Sequence, residues 1–189
     1  SAHGPRTLNP FDQSHVRRYW GTPQYAAPAM LLRSGLPPLA GMTGEDRLII
    51  VEPGETILAH TIEFVGGRRC VTTEMRARSS MGRIGITVCK CAGWGDVGYI
   101  NRWTMEVTNV LRERAIPLPV GMRIAQIALY EVDPLDASYA GESGKYQTTD
   151  DMDELVASWN PSTMLPRLYD DRDIGHFASF IPEDLKPSA

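Results

Sequence analysis

Between Arg47 and Val132 the sequence breaks into short runs rich in β-branched and apolar residues: RLIIVEPGE, TILAHTIEFV, RRCVTTEMRA, IGITVCKC, RWTMEVTN and AIPLPVGMRIAQIALYEV. Turn residues separate them before any run reaches helical length, so this part of the chain has to be built from many short strands. Strands at this spacing predict an all-β fold of the sandwich, jelly-roll or barrel kind. Pro53-Gly54 and Val120-Gly121 read as turns between strands, and Gly66-Gly67 as a hairpin loop. One residue stands out: RWTMEVTN is strand-like throughout, yet it carries a carboxylate at Glu106.

The flanks differ from this centre. Residues 1–46 are rich in Pro, Gly and small side chains, which predicts an irregular segment packed on the core, with at most a short helix near Asp12 to Trp20. Residues 47–150 are expected to form the β domain, and residues 151–189 a C-terminal extension with an irregular tail. The stretch DPLDASYAGESGKYQTTDD reads as a mobile loop. MDELVASW reads as a short helix capped by Asp150 or Asp151 and acidic in its first turn, as the helix dipole prefers. At 189 residues the chain has room for one domain with a sizeable core and an appended tail.

A net charge of −4 gives no support for a nucleic-acid partner, which needs a basic surface to displace counterions. No apolar run is long enough to span a bilayer, so no membrane partner is expected. Three cysteines, Cys70, Cys89 and Cys91, point to free thiols in a reducing cytoplasm, or host cytoplasm for a viral chain. Cys89 and Cys91 are two apart and on one strand would point the same way. Cys-x-Cys is too sparse a ligand set for zinc, so no zinc is expected.

Arg78-Ser79-Ser80, followed by Gly82 and Arg83, offers two cations and two hydroxyls within six positions, a composition suited to a triphosphate or another anion. A solvated turn would use the same residues. Further on, Ala92-Gly93-Trp94-Gly95-Asp96-Val97-Gly98-Tyr99 is a glycine-punctuated turn that would let a flat base approach the backbone. A tight turn whose aromatics belong to the core fits it equally well.

Taken in order and at this spacing, the segments resemble the family of dCTP deaminases and trimeric dUTPases. PGETILAHTIEFV resembles its first core segment, RSSMGRIGI its Arg-Ser-Ser motif and AGWGDVGY its pyrimidine-binding hairpin; PVGMRIAQIALYEV and YAGESGKYQ follow in the family's order. The resemblance implies a distorted jelly-roll or β-barrel of the dUTPase-like type, with short helices and irregular terminal extensions. Similar dUTPases carry an apolar residue three positions before the asparagine that closes the strand after the hairpin, whereas similar dCTP deaminases carry glutamate. Here the asparagine is Asn109 and the residue is Glu106. The N-terminal segment departs from the family, and so does Thr149, where relatives often place glutamine.

The resemblance implies that Glu106 is the proton shuttle of a metal-independent deamination of dCTP to dUTP and ammonia, assisted by Ser79 and Arg83. It assigns Cys91 and Ala92 to the pyrimidine edge, Asp96 to the sugar 3′-hydroxyl and Tyr99 to exclusion of a 2′-hydroxyl. Cys91 stands where threonine is frequent and bonds more weakly. Arg78, Ser80, Gln126, Tyr139, Lys145 and Tyr146 are implied nucleotide-binding residues, with Mg²⁺ carried by the triphosphate and no metal site in the protein. A homotrimer with intersubunit active sites is the implied assembly. Two alternatives stay open: dUTP pyrophosphate hydrolysis, alone or combined with deamination as AGWGD suggests, and a non-catalytic nucleotide-binding regulator.

Overall fold

The computed structural model describes residues 7–32, 37, 39–136, 139–141 and 144–171. They fall into two compact units. One pairs Ser1–Pro23 with Pro161–Ala189, of which 7–23 and 161–171 are described. Its helix α1, Gln13–Trp20, starts where the Asp12 side chain accepts hydrogen bonds from the N–H groups of Ser14 (2.8 Å) and His15 (3.3 Å), and it stops at Gly21. Gln13 donates to the Tyr169 hydroxyl at 3.1 Å, tying the two ends of the chain within this unit.

The other unit, Gln24–Asn160, carries the strands. In chain order these are β1 (Ala27–Pro28), β2 (Arg47–Val51), β3 (Thr56–Gly66), β4 (Val71–Ala77), β5 (Ile86–Thr87), β6 (Trp94–Gly95), β7 (Ile100–Asn109), β8 (Ile116–Pro119) and β9 (Ala125–Glu131). Short helices punctuate them: α2 (Ala29–Leu32), α3 (Ser79–Arg83) and α4 (Met152–Ser158). All pairings are antiparallel and form three sheets, in the orders β1-β2-β8, β3-β7-β5 and β6-β4-β9. The all-β expectation therefore holds, while the hydrogen-bonded pairings link the strands into three separate sheets. Among the described residues no helix is long and apolar enough to cross a membrane.

The core lies between the sheets, and β7 shows how the sequence makes it. Asn101, Trp103, Met105, Val107 and Asn109 are buried, while the residues between them stay partly open. This is the period-2 alternation of a strand with one face on the core. Met105 and Val107 join Val51, Met75, Met81, Ile86 and Leu118 in one cluster, each such side chain contributing about 1.5–3 kcal/mol through burial. Both terminal asparagines of the buried row are satisfied. Asn109 donates to the carbonyls of Val51 (2.9 Å) and Arg114 (2.7 Å) and accepts from the Leu111 N–H (2.9 Å).

Two local departures shape the surroundings of Glu106. The β3–β7 register shifts between His60 and Phe64, and there the Thr61 hydroxyl accepts from the Trp103 N–H at 2.9 Å in place of a ladder carbonyl. The run IGITVCKC, read above as strand-like, is paired only over Ile86–Thr87. Cys89 (φ 62°) and Lys90 (φ 39°) then turn the backbone through the left-handed region, which corrects the expectation for the two cysteines: Cys89 is buried and Cys91 exposed.

Candidate active site

Glu106 sits on β7 opposite Leu58 of β3, between the buried Met105 and Val107, so its carboxylate points off the core on the other sheet face. That face also presents Thr56, His60, Thr104 and Thr108, in the register pairs Thr56–Thr108 and His60–Thr104. The Thr56 and Thr108 hydroxyls are 2.9 Å apart, and Lys90 Nζ donates to Thr56 at 3.2 Å. Burial, helped by the nearby Glu106 charge, pushes the Cys89 thiol up to about 12.

The Arg-Ser-Ser stretch is a strand-to-helix junction. Arg78 ends the run of β4, its N–H bonding the Ile124 carbonyl (3.0 Å) and its guanidinium the Arg123 carbonyl (2.9 Å). α3 follows and is anchored by the buried Met81, leaving Ser79, Ser80 and Arg83 exposed. Gln126 lies opposite Arg76 on β9, so Arg78, Ser80 and Gln126 gather at one end of β4.

The glycine-rich hairpin grips the other part of β4. Gly93 accepts from the Met75 N–H, and a Cβ at Gly93 would collide with the Met75 carbonyl, so only glycine allows this approach. β6 pairs through Gly95–Thr73 and Trp94–Glu74. On the outside Trp94 stacks on Tyr130 at 6.3 Å, whose hydroxyl donates to Glu74 at 2.9 Å; Arg76 pairs with the same carboxylate. These bonds hold the Glu74 carboxyl below its usual range. Gly98, with φ 90°, completes the turn against Tyr139.

At the hairpin tip the ring of Tyr99 lies 5.6 Å from Trp103 and 5.2 Å from Tyr139. Burial first, then Tyr139, Tyr146 and Asp96, drives its phenol pKa upward and keeps it neutral. Asp96, Tyr99, Tyr139 and Tyr146 are thus brought together, with Lys145 beside Tyr139. Sequence reasoning missed Gln147. It is 2% exposed, and its carboxamide accepts from the Ile100 N–H (2.7 Å) and donates to the Gly98 carbonyl (3.4 Å) and to Asp150 (3.2 Å). Asn101 adds a bond to the Tyr146 carbonyl at 2.7 Å. The described part of the loop that was read as mobile is therefore fastened to the hairpin; Glu142 and Ser143 lie outside the described residues. Thr149 serves α4 instead, accepting from the Asp151 N–H and donating to Glu154 (2.9 Å), while Asp151 caps the helix.

Other sequence-predicted partners stay apart within one chain. Ser79 and Arg83 make no hydrogen bond or ion pair with Glu106 among the described residues. Arg78 follows Thr73, the hairpin's partner, by five residues, about 16 Å along an extended strand. Cys91 and Ala92 are exposed at the start of the hairpin, next to the strained turn. Among the described residues no group of three or more His, Cys, Asp or Glu could hold a metal ion.

Comparison with known proteins gives this geometry a context. The family profile described as dCTP deaminase-like matches residues 40–132. Proteins named "dCTP deaminase, dUMP-forming" are similar over about half of the chain: that of Leptospira biflexa is 40% identical over 101 residues, covering 52% of this chain and 53% of its own. That of Methanopyrus kandleri is 36% identical over 104 residues (54% and 53%), and that of Nanoarchaeum equitans 33% over 97 (51% and 48%). The chain spans about half the length of the curated relatives it matches. Among solved structures, the native EIAV dUTPase aligns with a TM-score of 0.40 at 20% identity, over 57% of this chain and 82% of its own. The profile match covers the strands that hold Glu106, α3 and the glycine hairpin, and over residues 40–132 this chain is similar to the dCTP deaminase-like family.

Proposed function

We propose that this protein deaminates dCTP hydrolytically, with Glu106 as the proton shuttle. The observation that carries the reading is Glu106 itself: a part-buried carboxylate off the core face of β7, one strand from the turn that leads into the hairpin. Replacing the 4-amino group requires water to attack C4, N3 to gain a proton and ammonia to leave. Glu106 takes a proton from the water and gives it to N3, then takes the remaining hydroxyl proton and gives it to the departing amine, ending as the carboxylate it began as.

Ser79 and Arg83 supply the hydrogen bond and fixed charge for the tetrahedral intermediate. Their exposure on α3, away from Glu106 of the same chain, supports a homotrimer in which one subunit's α3 faces another's β7. The hairpin backbone at Cys91 and Ala92 reads the pyrimidine edge, Asp96 accepts from the 3′-hydroxyl, and the wedged Tyr99 leaves no room for a 2′-hydroxyl. Arg78, Ser80, Gln126, Tyr139, Lys145 and Tyr146 hold the Mg²⁺ complex of the triphosphate, the Mg²⁺ arriving with the substrate.

A second reading continues the reaction: dUTP is hydrolysed to dUMP and pyrophosphate, with Asp96 orienting the second water. The names of the matched relatives, dUMP-forming deaminases, favour it. Incubation with dCTP or dUTP plus Mg²⁺, with ammonia and pyrophosphate assayed separately, tests both. Ammonia from dCTP supports the first reading, and pyrophosphate from dUTP is required by the second. Nucleotide binding with neither product would leave a regulator.

A further inference from the structure

The turn after β5 is bent in a way that its own bonds do not explain. Cys89 and Lys90, two successive residues that carry a Cβ, both adopt the left-handed conformation, and the Ala92 N–H closes the turn on the Cys89 carbonyl at 2.6 Å. The bend turns Cys89 inward, where its thiol feels the Glu106 charge. It also sends Lys90 to β3: Nζ donates to the Thr56 hydroxyl at 3.2 Å, although β7 lies between β5 and β3. The lysine therefore reaches over β7. An exposed bond of this kind adds little to folding, so stability does not account for two strained residues in a row.

Thr56 and Thr108 are register partners with hydroxyls 2.9 Å apart, and Thr108 follows Glu106 by two residues on the same face. Lys90 is exposed, and Thr56, Thr108 and Glu106 are partly exposed, so water reaches the whole row. An ammonium only donates, so Thr56 accepts from Lys90 and can pass its own hydrogen to Thr108. The Thr108 hydrogen is then left for an acceptor along the face towards Glu106, about 7 Å away, a gap that one water spans. We propose that Lys90, Thr56 and Thr108 form a relay that holds the attacking water on Glu106, with Lys90 as the positioning residue that sets its direction. This rests on the reading of Glu106 as the deamination centre. Thr108 donates to one lone pair of the water, Glu106 takes a proton from it, and the other lone pair forms the bond to C4. Negative charge grows on the water oxygen as that proton leaves, and the cation at the head of the relay strengthens the Thr108 bond at that moment.

The test is steady-state ammonia release from dCTP by Lys90→Met, Lys90→Arg, Thr108→Val and Thr108→Ser. Lys90→Met and Thr108→Val are each expected to lower kcat about tenfold and leave KM within about twofold, because the bond they remove strengthens only as the water loses its proton. The double variant should be no slower than the slower single, since both break one relay; losses that multiply would overturn it. Lys90→Arg and Thr108→Ser, which keep the donor and the hydroxyl, should restore most of kcat. Melting temperatures show which variants fold, and because Lys90 is exposed its variants carry the test alone if Thr108→Val does not. Unchanged kcat in Lys90→Met, with or without a raised KM, would overturn the relay and leave Glu106 in its role. An unsubstituted protein that releases no ammonia from dCTP would overturn both.

Discussion

The hairpin end of β4 and its α3 end solve opposite problems. At the hairpin, Gly98, Ile100 and Asn101 are hydrogen-bonded to Tyr146 and Gln147, and Tyr99 is wedged between Trp103 and Tyr139. That end is already assembled within one chain. At α3, Ser79, Ser80 and Arg83 face outward. In the proposed reading the contrast separates recognition from chemistry: the part assigned to the sugar is assembled within one chain, and the part assigned to supplying charge faces outward.

The harshest way to break the comparison is Glu106→Gln, expected to cut ammonia release about 10²–10⁴-fold while dCTP still binds. A variant with near-normal turnover would remove Glu106 from the chemistry. Next comes subunit exchange. Arg83→Ala and Glu106→Gln chains, each inactive alone, should regain about a quarter of normal activity when equal amounts are unfolded and reassembled together, the chance that neighbouring subunits carry both intact halves. No recovery would place the two residues in the same chain's site.

Gln147→Ala probes the assembled end more gently. It strips the Ile100 N–H of its acceptor in a buried position, so unfolding free energy measured with urea should fall by about 1–3 kcal/mol. The smallest effect concerns the turn between the two ends. With the Cys89 pKa near 12, its thiol stays protonated at pH 8, so a thiol reagent should label the exposed Cys91 and spare Cys89 until the protein unfolds. Mass mapping of the labelled peptide reads the outcome.

Much of the fold was legible because its signals are local. The strand-like run of β7, the short helix near Asp12 to Trp20, the Asp151 cap and the turns at Gly54 and Gly121 each follow from neighbouring residues. The early end of β5 was not, since Thr-Val-Cys-Lys-Cys suits a strand and only tertiary packing turns Cys89 inward. Gln147 was hidden for the same reason: a glutamine in a polar loop carries no mark of burial until the hairpin is folded against it.

Asn109 first mattered as a landmark for counting back to Glu106. Its three hydrogen bonds clamp the end of β7 to β2 and to the turn before β8, and the Trp103 indole bonds the Val65 carbonyl at 2.9 Å near the other end. A strand fixed at both ends cannot slide, and a slip of one residue would send Glu106 into the core and Val107 out to the opposite face. Between Trp103 and Asn109 the chain therefore tolerates insertions or deletions only in pairs: the parity of this segment, as much as the identity of its glutamate, is what heredity has to keep.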